Sequence, residues 1–163
     1  MITVDVARSI WQHTIEEKGG HCPVCERWGK VYSRAINSTM AHSLIWLCSA
    51  PANEDGWVDV PNHAPRAVIR SNQLPTLAWW DLVERLENKD SKQKHSGMWR
   101  PTQKGFDFVH KGIQVPKTVY TYNNNVEAFG VVQIKIEDCF KEQFDYQQIM
   151  NDCFPRRIAN ELL

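Results

Sequence analysis

The sequence predicts an α+β fold in which an N-terminal helix precedes a mainly helical core and a β-hairpin follows it. Three observations lead to this prediction. Apolar residues recur at helical spacing near the N-terminus and again in the middle of the chain. Apolar and polar residues alternate on both sides of an Asn-rich turn at residues 123–125. A helical segment, a charged loop, a short strand and another helix follow one another between residues 76 and 112.

Length and composition predict a single compact domain. With 163 residues, 42% apolar and 23% charged, the chain can bury a sizeable core. We expect an N-terminal helix with a Cys-pair turn (residues 1–35), a core (36–112), and a hairpin with a C-terminal helical segment (113–163). No apolar run approaches the ~20 residues of a membrane span, and the N-terminus is typical of an amphipathic helix rather than a signal peptide. We therefore expect a cytoplasmic protein that makes no membrane contact.

The first helices are predicted from apolar spacing and end signals. A helical pattern covers residues 3–18, and the glycine pair that follows supplies a stop. Asn37 predicts the N-cap of a second helix over residues 38–49. A turn at residues 53–56 and a short strand come next, and then a helical segment over residues 64–71.

The segment that begins at Pro75 predicts a longer helix, extending to Leu86. Its buried face is expected to consist of Leu77, Trp80, Leu82, Val83 and Leu86. After the charged loop, the segment GMWRPT predicts a strand, and Thr102 caps a helix that runs to about His110. In that helix we expect Phe106 and Val109 to be directed inward.

The last part of the chain predicts a hairpin and then short helices. Residues 115–122 and 126–136 alternate as two strands, and the Asn residues between them tolerate the positive φ of a tight turn. Such a hairpin could extend a sheet, form a dimer edge or cover the core. The ending from Phe140 predicts one or two short helices.

The order of segments TLAWWDLVERL, ENKDSKQKHS, GMWRPT and QKGFDFVHKG resembles that of bacterial regulators of the multiple-antibiotic-resistance type. This resemblance implies a winged helix-turn-helix-like core, in which the helix over residues 75–86 can enter a major groove and the charged loop is the wing. Regulators of this type dimerise through long terminal helices, whereas the first helix here spans about four turns. The oligomeric state, monomer or small dimer, is therefore open.

Three further blocks are similar to a family of uncharacterised bacteriophage proteins with a CPxC motif. They read CPVCERWGKVYSRAINSTMAHSLI, GMWRPTQKGFDFVHKGIQVPKTVYTYNNNVEAFG and FDYQQIM. The resemblance implies no particular activity. A phage origin makes two roles plausible: a DNA-binding transcriptional regulator or accessory factor, and a module that docks on a host or phage protein such as a polymerase or defence component.

Charge segregation favours DNA binding over the protein-binding alternative. The formal net charge is zero, yet residues 89–117 carry seven Lys and Arg against two Asp, while residues 137–152 carry five acidic residues against one Lys. A wing with this charge is suited to a phosphate backbone, although a charged loop can also be merely solvated. The candidate nucleic-acid-binding residues are Trp79, Arg85, Lys92, Lys94, His95, Arg100 and Lys104. For the Trp79–Trp80 pair the alternative is core packing.

The sequence Cys22-Pro-Val-Cys25 has the spacing of a zinc-binding turn. Its two thiolates could hold one structural zinc if Cys48 or His42 supplied further ligands. The alternatives are two unliganded thiols beneath the first helix, or a redox pair, which lacks the usual strand-turn-helix context. We expect either no cofactor or one zinc.

No catalytic set stands out. The six His residues are scattered, and neither a nucleophile motif nor a phosphate-binding glycine loop is present in the sequence. We therefore expect a binding protein rather than an enzyme.

Overall fold

A computed structural model describes residues 1–89, 92 and 95–140. Their contacts divide the chain into two compact units. Unit 1 comprises residues 1–35 and 116–132, and unit 2 comprises residues 36–115 and the described residues from 133 onward. The mixture of helices and antiparallel sheets confirms the α+β class. That the units form one domain stays a prediction, and the predicted helices after Phe140 lie outside the described residues.

Within the described residues the helices are α1 (Val4–Glu17), α2 (Ser38–Ser49), α3 (Val60–His63), α4 (Arg66–Ser71) and α5 (Gln103–His110), with the 3₁₀ helices η1 (Leu74–Trp80) and η2 (Ile136–Cys139). The strands are β1 (Gly20–His21), β2 (Trp28–Gly29), β3 (Tyr32–Ala35), β4 (Val58–Asp59), β5 (Val83–Arg85), β6 (Met98–Pro101), β7 (Val115–Pro116), β8 (Thr118–Tyr122), β9 (Asn125–Phe129) and β10 (Gln133–Ile134).

Side-chain caps fix the starts of the three longest helices. The Thr3 hydroxyl accepts from the backbone N–H of Val6 in α1, the Asn37 side chain accepts from Met40 in α2, and the Thr102 hydroxyl accepts from Gly105 in α5. The predictions for these helices are confirmed to within two residues. The predicted helical segment over residues 64–71 is confirmed as α4.

The predicted helix over residues 75–86 is wrong in its second half. The helix η1 ends at Trp80, Asp81 takes a left-handed conformation with φ 58°, and Val83 begins strand β5. The run Leu82–Val83 fits a helix or a strand equally by apolar spacing, and pairing with β6 decides for the strand. Of the predicted buried face, Leu86 is wrong because it lies beyond β5 and is exposed.

Unit 2 is built around α2 and a three-stranded antiparallel sheet. Seven residues of α2 are buried, and the helix packs on α4, η1, α5 and β6. The strand order is β4-β6-β5, so the last strand of the three lies between the other two. Val109 of α5 is buried as predicted, but Phe106 is exposed and Phe108 is fully buried instead. The inward prediction for Phe106 is wrong because its ring packs on His110 along the helix surface.

Unit 1 contains α1, the short β1–β2 hairpin and the antiparallel sheet β3-β8-β9. The predicted hairpin is confirmed: β8 and β9 pair on both sides of Asn123 and Asn124, which have φ of 51° and 63°. The second predicted strand is interrupted, since β9 ends at Phe129 and Ile136 belongs to η2. In unit 2, Val115 at the start of β7 and strand β10 take part in a separate two-stranded pair.

Candidate functional site

The hairpin formed by β5 and β6 carries most of the predicted nucleic-acid-binding residues. Residues 86–97 connect the two strands and form the β5–β6 loop. Arg85 lies at the end of β5 rather than on a helix, which corrects the sequence prediction for this residue. Lys92 and His95 lie in the loop and are exposed. Lys94, which the sequence places beside them, lies outside the described residues.

Arg85, His95 and Trp99 form one cluster at the start of the loop. Arg85 pairs with Trp99 across the two strands, and its guanidinium lies 5.7 Å from the centre of an indole ring of Trp99. The same guanidinium donates from Nη1 to Nδ1 of His95 at 3.0 Å. Sequence reasoning missed Trp99, although alternation along GMWRPT places it on the opposite face from Arg100.

The Arg100 guanidinium makes its contacts within unit 2 and connects the two strands of the hairpin. It pairs across the strands with Glu84, and its Nε donates to the Glu84 carboxylate. Its Nη1 donates to the carbonyl oxygen of Asp55 at 2.9 Å, and its guanidinium lies 4.2 Å from the centre of an indole ring of Trp57. These contacts connect β5, β6 and the turn at residues 53–56. The positive charge of Arg100 is therefore partly neutralised by Glu84 within unit 2.

The segment Thr102 to Gly105 joins the start of α5 to the end of η1. The Thr102 hydroxyl donates to the Asp81 carbonyl at 2.6 Å, and Lys104 Nζ donates to the Trp80 carbonyl at 3.0 Å. A Cβ at Gly105 would overlap the carbonyl oxygen of Leu82, so only glycine allows this close approach. The predicted DNA contact Lys104 therefore has an intramolecular partner.

The two adjacent tryptophans of η1 have different surroundings. Trp80 is 1% exposed and belongs to the core, whereas Trp79 is half-buried. Adjacent helical positions point in different directions, which explains why only one of the two is fully buried. Of the pair, Trp79 is the one that can present part of its ring outside unit 2.

Ion pairing within unit 2 reduces the cationic charge that the sequence places between residues 89 and 117. Lys111 Nζ lies 3.3 Å from the Asp107 carboxylate. The hydrogen bond from Gln103 and then the Lys111 ammonium lower the pKa of Asp107, so this partner stays ionised. Arg100 and Lys104 are also engaged within unit 2, and Lys89 and Lys92 are exposed on the β5–β6 loop.

The cysteine pair forms a tight knuckle between β1 and β2 in unit 1. Gly20 pairs with Gly29 and His21 with Trp28, which closes the hairpin around the pair. The chain turns back through Glu26, which has φ 62° and donates from its N–H to the Cys22 carbonyl at 2.9 Å.

Hydrogen bonds of the knuckle lower the pKa of the Cys22 thiol below its ordinary value. The backbone N–H groups of Cys25 and then Val24 hydrogen-bond the sulfur and lower the pKa of Cys22, and the Cys25 side chain adds a smaller hydrogen bond. Both cysteines are free thiols, and Cys25 is exposed. A thiol must lose its proton to bind a metal or react with an oxidant, and the lowered pKa of Cys22 favours that loss.

Cys48 and His42, the two further ligands predicted for zinc, lie in unit 2 and have contacts of their own. Burial raises the pKa of Cys48 to about 12, which keeps this thiol protonated. His42 contacts the Ser38 carbonyl through Nδ1 at 2.7 Å, and its ring packs edge-on against Phe140. Among the described residues, no group of three or more His, Cys, Asp or Glu side chains is positioned to hold a metal. A zinc completed by Cys48 or His42 stays a prediction.

An apolar pocket of about 210 Å³ lies on unit 2 beside the hairpin. It is lined by Val60, Pro61, Val68, Ile69, Asn72, Leu74, Pro75, Gly97 and Trp99. Ile69, at its edge, is 49% exposed. The pocket is therefore open to an apolar side chain of another molecule.

Comparisons with known proteins give no relative from which a function can be transferred. Neither a protein-family model, nor a curated protein, nor a solved structure matches the chain. In the described ranges, every helix is too short or too polar to cross a lipid bilayer.

Proposed function

We propose that unit 2 is a winged helix-turn-helix domain that binds duplex DNA, as the resemblance to regulators and phage proteins implies. The order of elements supports this proposal. The helix α2 is followed by the short strand β4, the helical segments α3, α4 and η1, and then the β5–β6 hairpin. The β4-β6-β5 order returns the last strand to the middle of the sheet, and the β5–β6 loop lies in the sequence position that a wing would take.

The observation that carries the proposal is the position of exposed cations on the β5–β6 loop. Lys89 and Lys92 are exposed there, and the Arg85 cluster lies where the loop begins. Exposed lysines can reach phosphate oxygens without entering a groove, and each phosphate that they neutralise adds to affinity and to its salt dependence.

The composition of η1 favours an accessory factor over a sequence-specific regulator. The segment LPTLAWW contains no charged residue, and the hydroxyl of Thr76 already donates to the Gln73 carbonyl. Base recognition in a major groove depends on side chains that can hydrogen-bond base edges. We therefore propose that phosphate contacts dominate binding, with Trp79 adding apolar contact.

Fluorescence anisotropy with a random-sequence duplex at several salt concentrations tests this proposal. We expect a Kd of roughly 10⁻⁴–10⁻⁶ M, weakening as salt rises. The double substitution Lys92→Glu with Lys94→Glu should lower affinity and reduce the salt slope by about 0.9 for each phosphate that the loop no longer neutralises. Lys117→Glu, which makes the same kind of charge change in unit 1, is the matched control.

Two results would contradict the DNA proposal. One is unchanged affinity and salt slope in the loop variant. The other is a weakening in Lys117→Glu about half that of the double loop variant, because one charge reversal against two would then show that binding follows net charge rather than the loop. Circular dichroism of each variant separates a failure to bind from a failure to fold.

The apolar pocket favours a second candidate, in which unit 2 docks on a host or phage protein. An apolar pocket with an aromatic wall suits a buried anchor side chain of a partner. On this alternative, DNA binding is absent at low salt and Ile69→Asp abolishes capture of a partner from infected-cell lysate. Lys92→Glu would leave that capture intact, so the two candidates give opposite results with the same pair of variants.

A further inference from the structure

The knuckle between β1 and β2 has the geometry of half a metal site. The Cys22 sulfur accepts from the backbone N–H of Val24 at 3.5 Å, and the Cys25 side chain lies within hydrogen-bonding reach of that sulfur. The hairpin also fixes His21, whose Nδ1 contacts the Glu26 carbonyl at 2.8 Å and whose ring packs edge-on against Trp28. The two thiols are thus the pair that this turn presents outward.

A tetrahedral zinc needs two more ligands than the knuckle supplies. Structural zinc sites are almost always four-coordinate and closed, and four thiolates are one of their usual sets. In the described chain no third His, Cys, Asp or Glu completes a group with the cysteine pair. A second copy of the same knuckle supplies the two missing thiolates, because a twofold axis through the metal brings identical surfaces together.

The surroundings of the knuckle fit contact with a second copy. Val24, between the two cysteines, is 75% exposed, and Trp28, just after them, is 52% exposed. Val24 lies in the turn and Trp28 on β2, and a twofold contact that covered both side chains would remove their apolar surface from water.

We propose that Cys22 and Cys25 bind zinc between two copies of the chain, each copy supplying one knuckle to a site of four thiolates. Each thiol releases its proton when it binds, so the metal replaces four protons. The site belongs to unit 1 and does not depend on DNA binding by unit 2. It gives the chain a metal-dependent dimer, in which zinc is both a structural ion and the link between subunits.

The test uses the full chain, purified under reducing conditions and loaded with zinc. Metal content by mass spectrometry is expected to be one zinc per two chains, and light scattering is expected to give the mass of a dimer. Removing the metal with a chelator should halve that mass. Cobalt(II) titrated into the metal-free protein reports the same site by its visible thiolate bands, with saturation at half an equivalent per chain.

Cysteine substitutions identify the ligands. Cys22→Ser and Cys25→Ser should each prevent dimer formation and abolish the half-equivalent endpoint, while Cys139→Ser, the matched control, should leave both unchanged. Cys153→Ser should also leave them unchanged. The cobalt titration of the unaltered chain tests the stoichiometry even if a serine variant folds poorly.

Several results would overturn the proposal. One equivalent of metal in a monomer, or absence of metal from Cys153→Ser, would mean that the site is completed within one chain. Absence of metal after loading of the unaltered chain would mean that the pair remains two thiols without a ligand. A dimer whose mass does not change on chelation would show that association does not use the metal.

Discussion

Units 1 and 2 differ in how many of their large apolar side chains are buried and how many are exposed. Unit 2 buries seven residues of α2 and the complete side chains of Leu77, Leu82 and Phe108. Unit 1 exposes thirteen of the sixteen large apolar side chains that are exposed in the described part of the chain. The difference indicates that unit 2 has the larger core and that unit 1 leaves more apolar side chains exposed to solvent.

The largest expected difference between the units comes from truncating one phenylalanine in each. Phe108 is fully buried, and Phe108→Ala should lower the free energy of unfolding by about 3–5 kcal/mol through reduced burial and a cavity. Phe129 in β9 is 44% exposed, so Phe129→Ala should cost about 0.5 kcal/mol or less.

Urea unfolding of the metal-free chain measures both costs. Equal costs in the two variants would mean that the exposed face of β9 is packed as tightly as the core around α2, which would break the comparison. Working without metal keeps any association of unit 1 out of the measurement.

Replacing one glycine by alanine in each unit, Gly105 in unit 2 and Gly130 in unit 1, should give a smaller difference in the free energy of unfolding. In Gly105→Ala the new methyl group meets the Leu82 carbonyl oxygen, so we expect the free energy of unfolding to fall by about 1–3 kcal/mol through overpacking. Alanine is otherwise favoured over glycine in a helix by roughly 1 kcal/mol, so any destabilisation here reports the backbone contact with Leu82.

Gly130→Ala is the control in unit 1. Its new methyl group would lie 3.3 Å from the Thr118 Cβ, and we expect a change within about 0.5 kcal/mol. Thermal melts followed by circular dichroism compare the two variants. A stabilised Gly105→Ala protein would show that α5 can move away from Leu82 at little cost.

The ionisation of the Cys48 thiol is expected to have the smallest effect on stability at neutral pH and a larger one at alkaline pH. Its folded-state pKa of about 12 lies above the ordinary 9.0, so the unfolded chain ionises this thiol first as pH rises. The resulting stability is fully present below about pH 9 and is lost as pH rises towards about 12. Cys48→Ala should flatten that alkaline decline, whereas Cys25→Ala, at an exposed thiol, should not.

Thiol labelling at mildly alkaline pH checks the same difference without unfolding. The thiolate fraction of Cys48 should be roughly a thousandfold below that of a thiol with the ordinary pKa, so Cys48 should react last, after Cys22 and Cys25 in the metal-free chain. Labelling of Cys48 as fast as Cys25 would mean that the end of α2 opens readily.

Features with local causes could be predicted from the sequence. The caps Thr102 and Asn37, the turn at residues 53–56 and the Asn123–Asn124 turn depend on residues within four positions of one another. Short-range hydrogen bonds of this kind leave a recognisable pattern of residue types, and all of these predictions are confirmed.

Features that depend on distant partners could not be predicted. The basic residues Arg100 and Lys104 have the composition of a DNA contact, but their partners Glu84, Asp55 and Trp80 lie 16 to 45 positions away. Likewise, nothing local to Val83 distinguishes a helix from a strand that pairs with β6. The sequence therefore identifies the charged loop but not which of its neighbouring cations are already engaged.

Contacts at the base of the β5–β6 hairpin limit which of its residues can vary in sequence and in number. Arg100 joins the two strands, Thr102 and Gly105 hold the strand ends against the next helix, and Ser96 hydrogen-bonds Leu86 across the base of the loop. Doubling the length of a flexible loop costs only about 0.6 kcal/mol in closure entropy. The stretch between Leu86 and His95 can therefore lengthen at little cost in free energy while Ser96 and Gly97 keep their hydrogen bonds to Leu86 and Val60, which leaves this stretch open to acquiring a new target.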